Sequence, residues 1–238
     1  MITGSLKKAV FLMLIAFGVI AFQPAAQAGY IQLQLYNGTT NVIIDDGDTG
    51  ALAGHGVDLN PLTGVVTFTG TLDTWTANVS TGLTYDIIGS ASNPRLNLSS
   101  VNVTSSAGGF LLVGVSAINY TGPNSWQFQI GGTTEGAVSA DALFDGGNDP
   151  AFFQYTTVLG SLAGTGGAFS DQISGVLSDL DFISPYGLSI NSLIIHEAQG
   201  VSSFNANLTA VPIPGAFWML GTGLIGLLGI RRRFRADK

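Results

Sequence analysis

Tyr30-Ile31-Gln32-Leu33-Gln34-Leu35-Tyr36 alternates apolar and polar side chains with a period of two, the pattern of a strand that buries one face. Asn37-Gly38 follows directly and supplies a turn. Working outward, further stretches read as strands at 65–72, 75–79, 95–103, 110–118, 126–130, 151–159, 188–195 and 203–208. Segments rich in Gly, Asn, Asp, Ser and Thr separate them, and the chain's 33 glycines suit tight turns. Within 95–103 the apolar phase changes. Leu96 and Leu98 share one parity, Val101 and Val103 the other, so a bulge at Ser99-Ser100 is expected. No sustained 3.6-residue periodicity appears between the termini. Short strands divided by turn signals predict one all-β domain over residues 29–210, an antiparallel sandwich of jelly-roll type. No fixed repeat marks a solenoid or propeller.

The two ends read differently. Lys7 and Lys8 precede an apolar run at 9–22, and Ala26-Gln27-Ala28 forms a small-x-small site. Residues 1–28 are therefore expected to be a signal peptide cut before Gly29. At the other end Val211-Pro212-Ile213-Pro214 is followed by an uncharged, mostly apolar run to Ile230, then by Arg231, Arg232, Arg233 and Arg235. As a helix, the uncharged 213–230 segment would span ~27 Å at ~1.5 Å per residue, enough for a bilayer core of ~30 Å. The expected membrane helix runs from about 214 to 230. The basic end, 231–238, would stay cytoplasmic and hold the body outside.

This tail resembles the PEP-CTERM sorting signal of Gram-negative bacteria, in which Pro-x-Pro precedes a short membrane helix and an arginine cluster. Ile213 stands where the usual motif has glutamate, as in the variant class reading Val-Pro-Leu-Pro-Ala. Segments of the body, such as 64–70, 75–81 and 130–134, look like those of small PEP-CTERM proteins of unassigned function. The resemblance implies an exosortase-type membrane protease as partner, with Val211, Pro212, Pro214 and the four arginines as the sorting motif. It also implies a precursor anchored in the inner membrane, then a surface or extracellular protein associated with exopolysaccharide and biofilm.

Charge narrows the partners. The body holds fourteen acids and a single base, Arg95, for a net charge of −13. No cationic surface exists to displace counterions from nucleic acid. No cysteine occurs, so thiol nucleophiles, thiolate metal sites and disulfide redox chemistry are absent.

Catalytic groups are sparse, and none is assigned. His55 and His196 are the only histidines, and His196 closes an apolar run as a strand-end side chain. Glu135 and Glu197 are the only glutamates, and no G-x-S-x-G elbow, Walker loop or H-E-x-x-H is present. Two oxygen-rich turns, Asp45-Asp46-Gly47-Asp48 and Asp145-Gly146-Gly147-Asn148-Asp149, are candidates for calcium, which favours carboxylate and carbonyl ligands. Asx-turns explain the same residues. Trp75, Trp126, Tyr36, Tyr85, Tyr120, Tyr155 and Tyr186 invite a sugar-stacking role, but most are expected in the core. Six N-x-S/T triplets begin at Asn37, Asn78, Asn97, Asn102, Asn119 and Asn207, a density that the abundance of Asn, Ser and Thr accounts for. Three functions stay open: a non-enzymatic surface or matrix protein, a calcium-assisted carbohydrate-binding module, and a secreted hydrolase.

Overall fold

The computed structural model describes residues 30–85, 87–149, 155, 157–178 and 182–211. The cleavage positions Ala26, Ala28 and Gly29 and the tail positions Pro212, Pro214, Arg231, Arg232, Arg233 and Arg235 lie outside the described residues. Among the described residues there is no helix. Ten strands occur in order: β1 (Ile31–Tyr36), β2 (Asn41–Asp45), β3 (Val65–Leu72), β4 (Trp75–Leu83), β5 (Arg95–Ser105), β6 (Gly109–Tyr120), β7 (Ser125–Asp145), β8 (Thr157–Val176), β9 (Tyr186–His196) and β10 (Gly200–Ala210). All pairings are antiparallel.

The expected all-β class is present, but the strands form one hydrogen-bonded sheet, ordered β2-β1-β6-β9-β7-β10-β5-β4-β3, with β8 also paired to β7. The sheet folds over on itself. β7 pairs with β10 through residues 126–134 and with β9 through residues 137–145, so it belongs to both halves. Its register against β8 shifts between Thr134 and Ala137. The two halves face each other. A Cβ on Gly82 of β4 would lie 2.6 Å from Val115 of β6 and 3.2 Å from Ile31 of β1. At the fold line a Cβ on Gly136 would meet the Ile195 carbonyl oxygen at 2.0 Å, so glycine alone lets β7 approach β9 there.

Between the halves lies the core. Leu33, Leu35, Leu96, Leu98, Val101, Val103, Val113, Tyr120, Phe128, Phe144, Ile190 and Leu208 have no exposed surface. Each large apolar side chain so buried stabilises the fold by roughly 1.5–3 kcal/mol before conformational entropy is counted.

The expected bulge is present. Ser100 has φ 53°, the β5–β10 register shifts across Asn205, and both apolar parities of β5 reach the core. β3 occupies the expected 65–72. β2 has no counterpart among the expected strands, and β7 continues fifteen residues beyond the expected end at Ile130. The expected strand at 151–159 meets β8 only from Thr157; residues 151–154 and 156 lie outside the described residues.

Candidate functional site

Through its middle, the outward face of β4, β5, β10, β7 and β8 is polar and mostly uncharged, with the exposed Arg95 of β5 and Val201 of β10 towards its ends. Alternation produces it: Phe204, Ala206 and Leu208 of β10 point inward, leaving Ser203, Asn205 and Asn207 outside. Adjacent strands repeat the phase, bringing Asn207 opposite Asn97 and Gln129, and Gln129 opposite Gln172.

Two adjoining depressions of about 660 and 540 Å³ mark this face and share Asn205. Asn78, Ser100, Asn102, Thr133 and Ser203 line the first, and Gln129, Ser170, Gln172 and Asn207 the second. Gly131 lies on the floor between Asn205 and Ser170, where a Cβ would have ordinary contacts of 3.6 Å or more. The absence of a side chain there keeps the trough open.

Hydrogen bonds orient its amides. Asn78 Nδ2 donates to Asn102 Oδ1 at 2.8 Å, and Gln129 Nε2 to Gln172 Oε1 at 3.1 Å. Asn205 Oδ1 accepts the Ser100 amide at 2.7 Å and the Ser99 hydroxyl at 3.2 Å. The bulge thus fixes the Asn205 side chain. What remains for a ligand is a mixed row: Asn78 Oδ1, Asn102 Nδ2, Asn205 Nδ2, Gln129 Oε1 and Gln172 Nε2. The only carboxylate lining either depression is Asp171, and no histidine does.

The aromatics do not form this surface. Trp75, Tyr85, Tyr120 and Tyr186 are buried, and Trp126 packs half-buried against the core. Tyr36 meets Phe110 edge-on at 6.3 Å on the other half of the sheet, and Tyr155 is exposed in a loop.

His196 is at the end of β9, at the fold line, and only 3% exposed. Ser105 Oγ is 2.7 Å from its Nδ1, and Ser202 Oγ is 2.8 Å from its Nε2. One assignment satisfies every group. The Gly136 amide donates to Thr134, Thr134 to Ser202, and Ser202 to Nε2; Nδ1–H donates to Ser105, which donates to the Ala198 carbonyl. Desolvation holds the imidazole below its ordinary value, with Glu135 acting weakly the other way. The ring also stacks near Trp75, at 4.9 Å. His196 is thus a buried hub that ties β9 to Ser105 of β5, Ser202 of β10 and, through Ser202, Thr134 of β7. Glu135 accepts the Val201 amide at 2.9 Å.

The first acidic turn divides its carboxylates. Asp46 accepts the Gly64 amide at 2.7 Å; burial raises its pKa, the amide partly offsets this, and neighbouring Asp58 raises it further. Asp45 and Asp48 instead converge on His55. Burial alone would raise the Asp48 carboxyl, but the Gly50 amide and His55 hold it below the usual range. In the second turn Asp145 accepts the amides of Gly147 at 2.8 Å and Asp149 at 2.6 Å, an Asx-type closure.

No protein-family model matches this chain, and no curated protein matches it. Among solved structures, the enzymatically active domain of bacteriophage CBA120 tailspike protein 4 aligns at 13% identity and a TM-score of 0.31, over 62% of this chain. The chain spans only 19% of that tailspike's length. The PA14 sugar-binding domain of an RTX adhesin aligns at 11% identity and a TM-score of 0.31, over 76% of this chain and 90% of that one. The A domain of epithelial adhesin 6 from Candida glabrata, solved with Galβ1-3GlcNAc, aligns at 9% identity and a TM-score of 0.31, over 81% and 84%. Overlaps at this level assign neither a family nor a ligand.

Proposed function

We propose that this is an exported, non-enzymatic surface or matrix protein whose trough binds a neutral polysaccharide. The observation that carries the reading is the row of oriented, uncharged amides over a glycine floor. Each amide offers a planar donor or acceptor of the kind that pairs with sugar hydroxyls, and such a row suits a linear chain of repeating units. The net charge of −13 repels anionic glycans, which favours neutral ones. The single carboxylate in the trough argues for binding over glycoside hydrolysis, which needs two facing acids. Exposed rings are absent from the trough, so each sugar contributes modest energy and affinity accumulates over several units.

Delivery is part of the same proposal. The leader at 1–28 exports the chain, and the Val-Pro-Ile-Pro tail with its arginines holds a precursor for an exosortase-type protease. The test is retention of the full chain by insoluble polysaccharides, neutral against anionic, with and without calcium. Retention by a neutral glycan irrespective of calcium supports the reading; retention only by anionic glycans, or by none, refutes it.

A further inference from the structure

On the opposite half of the sheet from the trough, three side chains from two segments meet. Asp45 ends β2, Asp48 follows it in the turn, and His55 returns alongside β2. The backbone fixes that return. Ile43 donates to the Gly54 carbonyl at 3.0 Å, Gly56 to the Ile43 carbonyl at 2.8 Å, and Asp58 to the Asp48 carbonyl at 2.8 Å. His55 Nδ1 then stands 2.5 Å from Asp48 Oδ2 and 3.9 Å from Asp45 Oδ2, and all three atoms lie within 4.8 Å of one another.

We propose that Asp45, Asp48 and His55 form a binding site for a divalent transition cation of the zinc type. Tetrahedral zinc, with bonds of ~2.0–2.2 Å, separates neighbouring ligand atoms by ~3.3 Å. Side-chain adjustments of below ~1 Å would open the short pair and close the long one to that value.

The carboxylates are held in a way that turns one oxygen of each toward His55. Asp45 Oδ1 accepts the Tyr30 hydroxyl at 2.6 Å and Gln32 Nε2 at 2.7 Å, freeing Oδ2. Asp48 Oδ1 accepts the Gly50 amide at 2.9 Å, and its Oδ2 is engaged by His55 Nδ1, a contact that an ion inserted between the two would replace. Such outer partners orient ligands at metal sites. The donor set also selects the ion. Calcium takes six to eight oxygens, whereas this site offers an imidazole nitrogen and two carboxylate oxygens. Asp46 and Asp58, the acids that would enlarge an oxygen cage, are committed to the amides of Gly64, Gly47, Asn60 and Thr67. Three protein ligands leave a fourth position for water.

Titration calorimetry of the full chain tests this with zinc, calcium and magnesium chlorides. One zinc per chain is expected, with binding preserved in Asp46→Asn and weakened by tenfold or more in His55→Ala. Tyr30→Phe, which removes one of the two donors that orient the Asp45 carboxylate, should weaken zinc by about tenfold. X-ray absorption of the zinc-loaded wild type needs no variant and should show one imidazole nitrogen among oxygen ligands. An absent zinc heat, undiminished binding in His55→Ala, or an oxygen-only shell would overturn the proposal. The trough is tested by a different ligand, so either assignment can fail alone.

Discussion

Two neighbouring glycines on β7 make opposite demands. A Cβ on Gly132 would lie 2.2 Å from the Ser203 carbonyl oxygen and 2.5 Å from Phe204 Cα, inside the β7–β10 pairing. A Cβ on Gly131 meets nothing closer than 3.6 Å. Gly132→Ala should therefore destabilise the fold by about 1–3 kcal/mol through overpacking. Gly131→Ala should be neutral or stabilising by up to about 1 kcal/mol, since glycine in a strand costs entropy. Urea unfolding of the two variants checks the contrast. His196 supplies a second test at this scale. Its neutral ring belongs to the folded state, whereas an unfolded histidine protonates near ~6.5. The unfolded chain thus binds the extra proton, and stability declines as pH falls through about 6.5, having been full above it. Denaturation at pH 7.5 and 5.5 should show this decline in the wild type and a smaller one in His196→Gln. Ser202→Ala, which strands buried Nε2, should cost about 1–3 kcal/mol at pH 7.5.

Among elements, the bulged strand joins fold to site. Asn205 caps the β5 bulge and presents its amide nitrogen to the trough. Asn205→Ala should lose about 1 kcal/mol of stability and weaken polysaccharide retention together, whereas Asn78→Ala should affect mainly retention. The bulge was legible because Leu96, Leu98, Val101 and Val103 all had to reach one core. The length of β7 was not. Gly131-Gly132 and Glu135-Gly136 carry turn chemistry, and Thr133-Thr134 interrupts the apolar rhythm. In the structure those residues remain in the ladder, and the glycines accommodate a bend and close neighbours. β2 carries no such signal, because Asn41–Asp45 is short and contains no full alternation. The trough had a signal of another kind. Asn78, Asn102 and Asn207 begin three of the six N-x-S/T triplets, and the period of two sets such asparagines on one face. Chance explains that composition until strand pairing aligns them. The meeting of His55 with Asp45 and Asp48 depends on a loop returning beside β2, which spacing alone does not show.

Across the whole molecule, the body's fourteen acids repel one another with one arginine to oppose them. Salt should raise the melting temperature by screening, with most of the gain complete near 0.15 M, where the screening length is ~8 Å. Magnesium and calcium should act almost alike on this general term. Zinc at one equivalent should add a further rise that His55→Ala removes. At the same scale, one folded sheet presents its amide trough on the outside of one half and keeps the histidine hub at its fold line. Polysaccharide binding is the activity proposed for that trough. Electrophoresis of the full chain through gels containing a retained neutral polysaccharide, comparing wild type with Gly131→Leu, tests it most directly. The leucine side chain fills the floor from a position where its Cβ is tolerated, so the variant should fold and migrate as if no polysaccharide were present, beside a retarded wild type. Equal retardation of the two proteins would contradict it.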